Sequence, residues 1–387
     1  MKRLAIIGAE RMACNYAENA RMMGIESHAF AYEKGAIAKD VVNVFHPISI
    51  FEVDEIVKAC RELNINGVVA TTELTVAIAA RVAHELGLNG VDPDVAARLT
   101  DKFLNREATK DVDGLSHPWY AKFNSTAEVL ASEFRYPIIV KPVSEGGKRG
   151  VSVVCNRSEL EAALDYAAEE SKRGQEVVIE EFLRGGVECS VETLSFHNKH
   201  QVIQVTEKIS SGPPHCVELG HIQPARISTE ERRLIEMVIP RMLSALGYTD
   251  GPSHTEIKLQ KGKLFLIECN TRPGGDFITY PLTNLSTGYC HLQGAICIAM
   301  NDFEFPVASK LSAGYSGVWF VTEKTRSFVP VFEVCDRKSW CYRKNDVGMI
   351  SDFSHNNCDG INYFIWKADA IPDEILKAMK KLEVAHA

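Results

Sequence analysis

HTEIKLQ (254–260) and KLFLIECN (263–270), joined through Gln260-Lys261-Gly262-Lys263 and running straight into TRPGG (271–275), read as a hairpin that carries polar groups to one end of a sheet. Apolar, β-branched runs around a glycine-bearing turn pair antiparallel. Side chains alternate across a strand, so Leu264, Leu266, Glu268 and Asn270 are expected on one face, with Phe265, Ile267 and Cys269 on the other. His254, Glu256 and Lys258 share a face of the first strand, and pairing then brings Glu256 opposite Glu268 and Asn270. Two carboxylates and an amide oxygen at neighbouring strand ends are ligands for a hard cation, which offsets their mutual repulsion. Magnesium is the expected ion, with manganese able to replace it. A pair of solvated glutamates on an edge hairpin is the competing reading. Arg272 comes next on the strand's polar side, where a guanidinium stabilises charge on a transferring phosphoryl group. Gly274 and Gly275 would let backbone N–H groups approach a substrate anion. The alternative is an ordinary turn with a surface arginine.

Upstream, Lys141 closes the apolar run PIIVKP (137–142) and enters Val143-Ser144-Glu145-Gly146-Gly147-Lys148-Arg149-Gly150. Ser144, Gly146 and Gly147 with the flanking cations make a cradle for a triphosphate, because glycine exposes backbone donors and lysine supplies point charge. The loop is not a Walker A sequence, since no GK[ST] ends it, and a solvated hairpin is its bland reading. In the run Glu180-Glu181-Phe182-Leu183-Arg184-Gly185-Gly186-Val187-Glu188, acids flank two apolar residues. An adenine lying against Phe182 and Leu183, with a carboxylate accepting from ribose hydroxyls, suits that composition. At the amino terminus, Gly8-Ala9-Glu10-Arg11-Met12-Ala13 follows a strand but lacks GxGxxG, which disfavours a dinucleotide site.

The chain of 387 residues is too long for one ordinary core. Alternating strands and helices over residues 1–117 indicate a Rossmann-like parallel α/β unit, with Pro93 and Asp101 as helix-start signals. A small α+β unit is expected at 118–186 and a larger mixed antiparallel one at 187–387, giving an α/β and α+β multidomain protein. A formal charge of -8 opposes nucleic acid and anionic membranes as partners. No apolar run is long enough to span a bilayer or form a signal-peptide core, which makes the cytoplasm the default compartment. The eleven cysteines, an odd number without CxxC spacing, read as reduced packing residues.

Taken in order, these segments resemble the ATP-grasp carboxylate-amine ligases, from the amino-terminal unit to about residue 320. That resemblance implies ATP and Mg2+ as cofactors and an ATP-grasp fold whose small unit is a lid. It places Lys102 of DKFLNRE and Lys141 on ATP phosphates, and Glu180, Glu181, Phe182 and Leu183 at the adenine. Glu188 falls at the ribose, Glu256, Glu268 and Asn270 on the metal, and Arg272 in the NxRxGG turn of the reaction centre. Within the superfamily, SSGPPHCVELGHIQPA (210–225) together with NTRPGG looks most like the dipeptide-forming L-amino acid ligases. The implied substrates are an amino acid or other carboxylate and an amine. Glu218 would hold an α-ammonium, and His221 would orient or deprotonate a substrate, with Arg272, Gly274 and Gly275 completing the pocket. The chain departs from many relatives in carrying Lys148-Arg149 where they have serine, and Asp276 where some dipeptide ligases have a bulky residue. A homodimer is a family-level expectation.

Overall fold

A computed structural model describes residues 1–143, 149–171, 176–214, 216–350 and 360–386. The first strand–helix alternation builds a four-stranded parallel sheet in the order Val44–His46, Glu26–Phe30, Arg3–Ile7, Gly67–Ala70. Helices Val53–Glu62 and Glu73–Glu85 cover one face of it, and helices Arg11–Met22 and His291–Ala299 cover the other. Burial on both faces is why LAII (4–7) and GVVA (67–70) are continuously apolar rather than alternating. Two short helices lead out of this unit. Asp92 caps Pro93–Leu99, and Asp101 caps Lys102–Thr109 by accepting from the Leu104 N–H.

The second body is an antiparallel sheet ordered Tyr120–Phe123, Val177–Glu181, Ile138–Pro142, Ser152–Val154. Helices Thr126–Leu130 and Leu160–Glu170 pack on it over Ile138, Val140, Val154, Leu164 and Ile179. Ser125 caps the first of these helices through the Glu128 N–H, whereas Glu128 bonds the N–H of Asn124, one residue before the cap. The S-x-x-E capping box of Ser125 and Glu128 is therefore only half made.

The third body is a nine-stranded sheet, antiparallel except at one edge. Its order is Cys341–Asn345, Asn362–Ala368, Tyr315–Val321, Glu218–Gln223, Lys199–Ser210, Val187–Phe196, Gly251–Gln260, Lys263–Asn270, Leu115–Ser116. The hairpin over Val187–Ser210 turns at His197 and Asn198, both at positive φ, as a tight two-residue turn requires. One sheet face is apolar and lies under helix Thr229–Ala245, started by the Ser228/Glu231 capping box, and under helix Asp373–His386. The other face packs in part on Phe277, Leu282 and helix His291–Ala299, and around Glu188, Glu256 and Glu268 it lines a cleft with the second body. Glu218 and His221, expected at the substrate, lie on ELGHIQ (218–223), an inner strand of this sheet with every residue buried. No described helix is long and apolar enough to cross a membrane, and the described cysteines are all free.

Candidate active site

The hairpin of residues 254–270 pairs as expected, with His254 opposite Asn270 and Glu256 opposite Glu268. Its faces differ from simple alternation. Ile257 pairs with Leu266, leaving Ile267 as an extra residue in a β-bulge. Leu264 and Leu266 consequently stay in the core with Ile257 and Leu259, while Glu268 swings to the opposite face beside Glu256. A regular strand that buried the two leucines would have buried Glu268 with them. A second irregularity does the same for Glu218: Ile209 pairs with Gly220 and Ser210 with Glu218, so Leu219 is the extra residue. Lys208, His221 and Glu218 thus share the cleft face, whereas Leu219 joins the apolar one.

Between this face and the small sheet lies a cleft whose apolar walls are Ile139, Val151, Phe182, Leu183 and Ile267. Lys102, Lys141, Glu180, Glu181, Glu188, Glu256, Lys258 and Glu268 line it as well, so most of the predicted nucleotide residues gather in one place. Lys258 Nζ donates to the Leu183 carbonyl at 2.8 Å and stands 5.8 Å from the Phe182 ring centroid. Glu180, expected at the adenine, lines the cleft beside Phe182 and Leu183. Its carboxylate is already bonded by Arg106 Nε at 2.5 Å and Lys141 Nζ at 2.8 Å, all three groups being buried. Burial alone would raise the Glu180 carboxyl, but Arg106 and Lys141 outweigh it and hold it at about 2. Arg106 also donates to the carbonyls of Leu266 and Ile267, tying the bulged strand to the small sheet. Ser144, Gly146 and Gly147 lie outside the described residues.

Two residues beyond Asn270, Arg272 is partly buried and bonds Glu73 at the start of helix Glu73–Glu85, as well as its neighbour's carbonyl on Pro273. Burial pushes the Glu73 carboxyl up, and Arg272 more than reverses this, to about 2. The Gly274 N–H, expected to face a substrate, is instead committed inside the protein, to Thr279 Oγ1 at 2.7 Å and Glu192 Oε2 at 3.3 Å. Gly274 serves close packing: a Cβ there would stand 2.5 Å from His254 Nδ1. Gly275 is exposed and has open space on its Cβ side. Behind the turn, His254 Nδ1 lies 2.5 Å from Glu192 Oε1, and Thr279 donates to the other Glu192 oxygen at 2.6 Å. Burial opposes a charged imidazole here, yet Glu192 lifts the His254 pKa to about 9. His221 is fully buried and meets Phe320 edge-on at 6.0 Å between centroids.

Four participants went unnoticed in the sequence: Arg106, Lys208, Glu73 and Glu192, the last of these the buried partner of His254. Lys208 offered one signal, as a lone cation inside the run QVTEKI (204–209), which the structure buries from Gln204 to Lys208. Nothing local marks Glu73, whose partner is 199 positions away.

The donor set fits a phosphate-bound Mg2+. Two register-paired carboxylates and Asn270 sit at adjacent strand ends, and Mg2+ typically takes one or two carboxylates and completes its shell with phosphate and water. Among the described residues no three His, Cys, Asp or Glu form a cage that would hold a metal unaided. The apolar slot flanked by cations fits a purine nucleotide equally well.

Residues 134–280 match the family model described as an ATP-grasp domain. Over 257 residues the chain is 28% identical to formate-dependent phosphoribosylglycinamide formyltransferase of Corynebacterium jeikeium, covering 63% of this chain and 62% of that protein. Over 144 residues it is 35% identical to D-alanine–D-alanine ligase of Flavobacterium psychrophilum, covering 36% and 42%. The chain thus spans less than two thirds of the length of these two relatives. The crystal structure of an L-amino acid ligase from Bacillus licheniformis superposes with a TM-score of 0.81 at 23% identity, over 99% of this chain and 97% of that one. Residues 134–280 are therefore an ATP-grasp domain, set in a chain whose whole architecture is the ATP-grasp fold.

Proposed function

We propose that this protein is an ATP-dependent, ADP-forming carbon–nitrogen ligase that uses ATP and Mg2+ to join the carboxylate of an amino acid to an amine. One observation carries the reading. Lys208 Nζ lies 2.5 Å from Glu256 and 3.0 Å from Glu218, so the acid suited to a substrate ammonium adjoins the acid suited to the metal. ATP supplies the phosphoryl group that converts a carboxylate into an acyl phosphate, which the amine then displaces, releasing phosphate. Such transfer needs positioning and charge neutralisation more than a nucleophile of the protein's own. Lys102 and Lys141 supply positive charge at the cleft, and Arg272, held by Glu73, stands ready for charge on the transferring group. Glu218 accepts the substrate ammonium, and His221, on the same face, orients the amine. The lid, which already touches the base through Val153 N–H and the Pro214 carbonyl at 3.0 Å, keeps water from the acyl phosphate.

The deciding experiment is phosphate release from Mg-ATP across a matrix of paired amino acids, with mass spectrometry of the positive wells. Release that needs two amino acids, with a product equal to their sum less water, is the expected result. A second reading follows from the formyltransferase relatives: formate as the acid and phosphoribosylglycinamide as the amine. That pair belongs in the same matrix, and release confined to it would replace the amino-acid reading. The homodimer is tested by light scattering of the purified protein.

A further inference from the structure

Both carboxylates assigned to the metal already carry an ammonium group. Lys208 Nζ, on a side chain only 3% exposed, stands 2.5 Å from Glu256 Oε1, 3.0 Å from Glu218 Oε1 and 4.0 Å from Glu188 Oε1. Lys102 Nζ stands 2.9 Å from Glu268 Oε1 across the cleft. The two lysines come from different elements, strand Lys199–Ser210 and helix Lys102–Thr109, yet each reaches one member of the register-paired Glu256–Glu268 couple. A buried lysine gives up hydration and rotamer freedom, and it is retained because acids this close repel unless a cation lies between them.

We propose that Lys208 and Lys102 are resident counter-ions of the divalent-metal site, and that the metal enters by displacing their ammonium groups from Glu256 and Glu268. This rests on the reading of those glutamates as metal ligands. A bare divalent ion would have to displace both ammonium groups from these acids with nothing to compensate their charge, so it binds weakly. Arriving with a polyphosphate, it brings the negative charge that compensates the displaced lysines. Lys208 keeps its hold on Glu218 throughout, which links metal entry to the acid proposed for the substrate ammonium. The consequence is an order of binding: metal and nucleotide enter together, and the protein does not sit loaded with metal alone.

The test is Mn2+ binding to the full chain, followed by electron paramagnetic resonance, with and without a non-hydrolysable ATP analogue. Lys208→Met should bind free Mn2+ about tenfold more tightly than the unaltered protein, as expected when a neighbouring positive charge is removed from a partly desolvated site. Lys208→Arg should keep the weak free-metal binding. A positioning residue with only a structural role would weaken metal binding when removed, so the sign of the change discriminates. Free-metal affinity in Lys208→Met that is unchanged or lower overturns the proposal. If that variant does not fold, Lys102→Met reads the same exchange at Glu268, with the same expected gain and the same overturning result. Glu256→Gln separates the two levels: it should abolish tight Mn2+ binding in the presence of the analogue. Undiminished binding there would instead remove Glu256 from the metal site and with it the underlying reading.

Discussion

Arg272 shows how a single side chain acquires its task from a partner far along the chain. Its position after Asn270 was legible, because strand alternation places it beside the polar end of the hairpin. Its orientation was not, since Glu73 reaches it only when the parallel sheet docks against the large one. Replacing Arg272 by alanine should lower kcat by roughly 10²–10³ while ATP affinity changes little, because the guanidinium acts on charge that develops during transfer. An ATP affinity that fell in step with kcat would instead assign it to ground-state binding. Glu73→Gln keeps the shape and removes the charge that holds the guanidinium. It should cut kcat by about tenfold with near-normal KM for ATP, and steady-state kinetics would settle this. Gly274 carries the opposite lesson: a glycine read as an anion donor gives its N–H to Thr279 and Glu192.

Among the elements, the two bulges decide the chemistry. The apolar run KLFLIEC (263–269) contains both a core edge and the carboxylate proposed for the metal, and a strict period of two cannot serve both. One inserted residue, Ile267, resolves the conflict by shifting the parity between Leu266 and Glu268. Deleting Ile267 should restore a regular ladder and turn Glu268 and Asn270 towards the core, with loss of Mg-dependent turnover measured in the phosphate-release assay. A deletion variant that folds and retains turnover would show that the bulge is incidental. Leu266→Ala keeps the bulge but empties a core position. It should cost roughly 2–5 kcal/mol in denaturant titration with a much smaller effect on kcat. Bulges escape sequence reading because they reflect competition between two packed faces, and the pattern of one strand shows only their compromise.

Across the whole molecule, Arg106, Lys141 and Glu180 join the helix after the first unit, the small sheet and the large sheet in one buried knot. Since the Glu180 carboxyl is held at about 2, its contribution is fully present above the ordinary carboxylate range and is lost as pH falls through that range towards 2. Glu180→Gln leaves two buried cations without their acid and should cost roughly 3–5 kcal/mol near neutral pH. Its stability should also fall less steeply than that of the unaltered protein between pH 5 and pH 3, and matching acid dependences would refute the assignment. The alternation of strands and helices, the order of the motifs and the hairpin pairing of Glu256 with Glu268 were determined by the sequence itself, since each depends on local periodicity, turn residues and strand alternation, whereas one cleft for Lys141, Phe182 and Leu183 was implied only by the family resemblance. Tertiary structure alone decided which face Glu268 and Glu218 present, that Glu180 is consumed by Arg106, that Glu73 holds Arg272, and that Lys208 sits among three acids. The physical reason is common to all four. Buried charges must find partners wherever packing brings them, and those partners lie tens to hundreds of residues away, beyond the reach of any local pattern.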